Sequence, residues 1–229
     1  MTRSLRSFRS GAAHVACLLA LAACGDEPAR PARDPDLLLV VDGIEVRVSE
    51  VEPFVAFYDF LPESSRSSKV RRILTEYTIP LRLSQRAFAA KRKELYATAK
   101  ALTEVATNAV ELQQVMSDGR LPGRALENVR LQLAPPLALF LFDPLLRGSV
   151  SPPIEVPEGY KVVACNDVKE APLVLDDLCS SLQVAFNTHN LINDYIAWRD
   201  AEMARVAHLV TYVHPDYREA LPPGFEAPR

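Results

Sequence analysis

Leu37-Leu38-Leu39-Val40-Val41-Asp42-Gly43-Ile44-Glu45-Val46-Arg47-Val48 is two β-prone runs separated by Asp42-Gly43. An Asp-Gly pair between apolar runs signals a hairpin. A two-residue turn needs positive φ at both positions, which glycine adopts freely and aspartate tolerates. Ser49 follows, with Glu52 three residues on as in a capping box. Val51, Phe54, Val55 and Tyr58 then fall on one helical face. A hairpin feeding a helix predicts an α+β fold. Scarce glycine (8 residues) and plentiful alanine and leucine make the rest mainly α-helical.

Downstream, Pro62 and the serines of 64–68 end the first helix, and a second begins near Ser68 with Val70, Ile73, Leu74 and Tyr77 as its apolar stripe. Pro80 should kink or break it. A longer helix is expected to about Asp118, stopped by Gly119, with Arg86, Lys91, Arg92 and Lys93 as a solvated basic face. Residues 124–133 read as a short helix, 160–164 as a strand, 173–205 as a long helix and 207–213 as a closing strand. Pro222, Pro223 and Pro228 predict a frayed tail over 222–229. There is no internal repeat.

Upstream of the hairpin, Arg3, Arg6 and Arg9 precede a short apolar run over 12–20, and Leu21-Ala22-Ala23-Cys24 follows. That is a secretory signal peptide ending in a lipobox; the apolar run is too short to span a bilayer. The expected mature chain starts at Cys24, acylated there. The alternative is an ordinary soluble signal peptide with a chance cysteine. Residues 24–36 form a polar, proline-bearing tether. Gly25, rather than aspartate, after the cysteine points to the outer rather than the inner membrane.

Cleavage after residue 23 removes three of the 26 basic residues and none of the 29 acidic ones, leaving a net charge of about −6. A negative chain argues against nucleic acid as partner. It argues equally against electrostatic adhesion to anionic lipid, so acyl chains at Cys24 supply the membrane attachment. In an oxidising compartment the remaining pair, Cys165 and Cys179, is either a disulfide or two buried thiols. No spacing suggests zinc or a Cys-x-x-Cys redox motif. His208 and His214 flank the last strand beside Asp216 without an obvious third ligand, so no metal and no cofactor is expected. There is no G-x-S-x-G, P-loop, dinucleotide fingerprint or paired-carboxylate arrangement.

Two motifs carry a family resemblance. Val41-Asp42-Gly43-Ile44 through Ser49-Glu50-Val51 resembles the opening of SurA/PrsA-type extracytoplasmic foldases, in which a V-N-G hairpin leads into a helical chaperone domain. Here aspartate takes the usual asparagine's place. Leu145-x-x-Gly148-x-Val150-Ser151-x-Pro153-Ile154, followed by Gly159-Tyr160-Lys161-Val162-Val163, resembles the end of a parvulin-type (PpiC-type) prolyl isomerase domain. The motifs cover a small part of the chain, whereas the order of parts extends over most of it. The resemblance implies a hairpin and helical chaperone-like domain over 37–134, a degenerate parvulin-like segment with a reduced antiparallel sheet over 135–172, and a C-terminal helix and closing strand over 173–221.

Parvulin-type domains place two histidines in their central strands. Lys161 stands where the second would be, and the stretch 96–105, where the first is expected, has no histidine and reads as helix. A lysine cannot reproduce imidazole's neutral hydrogen-bonding role. The expectation is therefore a lipoprotein that holds unfolded or extended polypeptide clients, with weak or no isomerase activity. Phe140, Phe142, Leu145 and Tyr160 are its candidate peptide-binding residues, with core packing as the competing reading for at least two of them. The alternatives are an active prolyl isomerase with displaced catalytic residues and a structural subunit of an envelope complex.

Overall fold

Asp42 and Gly43 both take positive φ, 50° and 73°, in the computed structural model, which describes residues 34–61, 64–119, 121–172 and 174–228. The expected signal peptide, the expected lipidation site Cys24 and the expected tether up to residue 33 lie outside the described residues. The first half of the chain runs β1 (Leu37–Val41), β2 (Ile44–Arg47), α1 (Val48–Val55), α2 (Arg66–Ile73), α3 (Ile79–Ala87), α4 (Ala89–Val105) and α5 (Ala109–Ser117). The second runs β3 (Gly123–Val129), α6 (Pro135–Leu141), β4 (Ile154–Val156), β5 (Gly159–Lys169), β6 (Leu178–Asn187), α7 (Ile192–Val206) and β7 (Val210–Val213). The fold is mixed α+β, and both of its sheets are antiparallel.

The two ends of this body meet at the hairpin. β7 pairs with the free side of β1, giving the order β2-β1-β7, and Leu38, Leu39, Val41 and Val46 are fully buried beneath it. Asp42 is held from two helices: its carboxylate accepts from Arg86 of α3 and Arg205 of α7. Those bonds, Arg205 first, hold its pKa below the ordinary carboxylate value. The first helix starts one residue earlier than the sequence suggests. Glu50 closes the cap on the Arg47 N–H, while the Ser49 hydroxyl and N–H both donate to Asp36.

Pro80 does not break the second helix. A π-helical turn over Leu74–Thr78 links α2 to α3, with the Ile79 N–H donating to Leu74, and it absorbs the register change that proline imposes. The long helix expected to residue 118 is divided instead. Asn108 caps α5 by accepting from Val110 and Glu111, and Glu111 answers by accepting from Thr107.

The four-stranded sheet has the order β3-β6-β5-β4 and overturns two helix expectations. Residues 124–133 supply β3 rather than a helix. The expected helix over 173–205 is strand β6 followed by α7. Leu182, Val184 and Phe186 alternate with Ser181, Gln183 and Ala185, a period of two that outranks helix propensity once both flanks of β6 are paired. Gly159, at φ 151°, begins β5 where a Cβ would collide with the Phe186 carbonyl. The sheet draws β3 from 37–134, β4 and β5 from 135–172 and β6 from 173–221, so the expected segment boundaries run through one structure.

One face of this sheet, with Val162, Ala164, Leu182, Val184 and Phe186, packs on Ala99 and Leu102 of α4 and Leu112 of α5. On the other, Val163, Cys165 and Cys179 meet Leu137, Ala138 and Leu141 of α6 and join the main core. The expected frayed tail is docked: Pro222 is buried, and Phe225 packs into that core.

Candidate functional site

The four residues singled out from sequence are not assembled into one groove. Phe140 and Phe142 pack on the main core, with the Arg130 guanidinium 4.5 Å over the Phe142 ring. Tyr160 lies on the opposite face of the sheet, 5.4 Å from the Tyr96 ring and beneath the Arg92 guanidinium at 5.2 Å. Its hydroxyl donates to Glu155 over 3.3 Å; burial first, and that carboxylate second, raise its pKa. Leu145 is 88% exposed.

A different concavity lies on the part of the sheet that α6 leaves uncovered. Alternation along the strands turns Lys161, Gln183, Ala185, Arg124 and Leu126 to the same face as Val163 and Cys165. Two adjoining hollows of about 460 and 470 Å³ share Glu158 and Lys161 and together form a trough. One extends toward β3 and the start of α7, the other toward Pro135, Tyr195 and Arg199. Its floor is polar and partly satisfied from within, while the buried Asn187 Oδ1 and Tyr195 hydroxyl that line it have no hydrogen-bond partner among the described residues. Lys161 Nζ sits 2.8 Å from Glu158, Gln183 donates to Asn128 and Ser181, and Asn128 donates to Ser181. Its rim is apolar and wet: Leu126, Leu191 and Ile192 are 38%, 64% and 53% exposed. Beyond Leu126, the outer edge of β3 pairs with no other strand among the described residues.

The β4–β5 turn that carries Glu158 is fixed by Arg92, which sequence reasoning placed on a solvated face. Arg92 is 3% exposed. Its guanidinium donates to Ser84, to Glu155 at 3.0 Å and to the carbonyls of Val156, Pro157 and Gly159. The signal was present in the spacing: Phe88, Arg92, Leu95, Ala99 and Leu102 recur at steps of four and three, so Arg92 falls within the apolar stripe of α4. Arg86, Lys91 and Lys93 are exposed as expected; Arg86 donates to Asp42 and Lys91 reaches the Thr188 carbonyl.

Other chemistry finds no assembly here. His189 packs edge-on to Phe88 at 5.0 Å, His208 is exposed, and His214 caps the turn at Asp216. Among the described residues no group of three metal-ligating side chains converges. Nor is any described helix long and apolar enough to cross a membrane. The trough offers a sheet edge, an apolar rim and an ion pair between Lys161 and Glu158. No family model, characterised protein or solved structure matches this chain.

Proposed function

We propose that this protein is a membrane-tethered envelope chaperone that holds unfolded or extended polypeptide, pairing a client segment with the open edge of β3 above the trough. The observation that carries the reading is β3 itself. It is seven residues long, proline-free and mostly exposed, and its outer side is unpaired among the described residues. Such an edge presents a row of unpaired N–H and C=O groups, the template for β-strand addition. An incoming strand turns every second side chain to the Leu126 face, toward Leu191 and Ile192. Main-chain pairing tolerates many sequences, which suits a holder of diverse clients.

The order of parts that resembles SurA/PrsA-type foldases supports the same reading: hairpin, helices, antiparallel sheet, helix and closing strand. A reduced parvulin-like character belongs to the β4–β5 hairpin, where Lys161 stands in the histidine position and is engaged by Glu158. An ammonium only donates, so weak or no prolyl isomerisation follows. Acyl chains on Cys24 would keep the body at the periplasmic face, on the outer membrane by the sorting rule.

Fluorescence anisotropy with a reduced, carboxymethylated and therefore permanently unfolded polypeptide tests this. The double variant Leu126→Lys, Ile192→Lys should keep the wild-type Tm, because both positions are exposed. It should bind about tenfold more weakly. Undetectable binding by the wild type, or equal binding by the variant, refutes the proposal. In a protease-coupled prolyl assay, rates equal to buffer are expected; a catalysed rate would turn the reading to an isomerase. A single stoichiometric partner in membrane crosslinking would turn it to an accessory subunit.

A further inference from the structure

Cys165 and Cys179 lie on neighbouring strands, β5 and β6, at the point where Asn166 interrupts the pairing register. Cys165 pairs with Ser181 and Cys179 with Val168, so the two cysteines, 14 apart in sequence, are diagonal neighbours on one face. Both side chains are fully buried, and their sulfurs are 3.1 Å apart, with the Cys179 thiol directed at Cys165 and toward the Leu141 carbonyl of α6. The structure holds them as free thiols. A thiol is a weak donor and a thiol sulfur a weak acceptor, so little in hydrogen bonding accounts for the pairing.

We propose that Cys165 and Cys179 form an intramolecular disulfide that staples β5 to β6. The oxidant is a small-molecule or protein disulfide acting by exchange. One cysteine thiolate attacks an oxidant sulfur, displacing the first oxidant thiol and giving a mixed disulfide. The second cysteine thiolate then attacks the bound cysteine sulfur and displaces the other oxidant thiol. Two electrons pass to the oxidant, and the two cysteine protons end on its released thiols. Burial raises the Cys179 thiol pKa, which slows exchange in the closed sheet. The bond therefore forms while β5 and β6 are still coming together.

Peptide mapping decides the matter. Trypsin cuts after Lys161, Lys169 and Arg199, so the two cysteines fall in separate peptides, 162–169 and 170–199. The full chain is refolded in a glutathione redox buffer, alkylated under denaturing conditions and digested without reduction. A linked pair of these two peptides, separating on reduction, is the expected result. Reductant should lower the Tm by about 6–12 °C, the loss expected for opening a loop of this length. It should leave the double variant Cys165→Ala, Cys179→Ala unmoved. Recovery of both peptides as separately alkylated thiols, or either one joined to another thiol, overturns the proposal. The wild-type map decides even where the double variant fails to fold.

Discussion

Replacing Arg92 with methionine keeps an unbranched stem of similar length and deletes five hydrogen bonds at once. The groups left behind decide the magnitude. Glu155 is partly exposed and still accepts from Gln85 and Tyr160, so water and these neighbours can restore it. The carbonyls of Val156, Pro157 and Gly159 lose the guanidinium's donors in a buried position. An unsatisfied buried acceptor costs about 1–3 kcal/mol, and removing one partner of a buried ion pair costs about 3–5 kcal/mol. These overlap, because one side chain serves all the acceptors, so the total should be about 3–5 kcal/mol. For a body of this size that lowers Tm by about 6–20 °C. Urea unfolding followed by circular dichroism measures the free energy, and hydrogen exchange should show the β4–β5 hairpin losing protection first. Arg92→Lys should fall between, since one ammonium reaches only part of the acceptor set. A methionine variant within about 1 kcal/mol of wild type, with the hairpin still protected, would refute the claim that Arg92 organises this turn.

Asp42 gives a pH test with a definite sign. Its pKa is lowered in the folded protein by Arg205 and Arg86, so the stabilisation is present above the ordinary value of 3.8 and disappears as pH falls through the folded value. Asp42→Asn tolerates the positive φ but loses the charge. The urea midpoints of variant and wild type should differ at neutral pH and converge in acid; a constant gap would show that the charge is not responsible. Gly159→Ala forces a Cβ into the Phe186 carbonyl at a φ of 151° and should destabilise by about 1–3 kcal/mol, read by thermal unfolding. Phe225→Ala should lose about 3 kcal/mol by the same assay, because the tail is docked in the core; no loss would restore the frayed tail.

The hairpin, the α+β class and the closing strand were legible because each is written locally: a turn pair that selects positive φ, a cap, a short β-prone run. Gly119 likewise stops α5 at a φ of 67°, as its type predicts. Elements misread from sequence were those whose state depends on a distant partner. Residues 123–129 hold Ala, Leu and Glu and favour a helix in isolation; pairing with β6 makes them a strand. The alternation in 178–187 was visible, but helix-favouring residues on either side obscured it.

The candidate site was less legible still. The aromatics near 140 and 160 are each correctly read as apolar, yet strand alternation and the two-sided sheet send Phe142 and Tyr160 to opposite faces. The trough depends on which parts of a face α6 and α7 leave bare, and no run of neighbouring residues encodes that. Period and spacing could have placed Arg92 inside, though not chosen the carbonyls it would meet.

By itself, then, the chain's order of residues determined the hairpin turn, the helix-rich class and the C-terminal strand as a strand, since turns, caps and periodicity act over a few residues. The tertiary structure alone decided that β3 is an open edge, that Lys161 meets Glu158 above a polar ladder, and that two cysteines stand in contact. Those are properties of surfaces left over after long-range pairing and burial have been satisfied, and burial is settled by the whole core together.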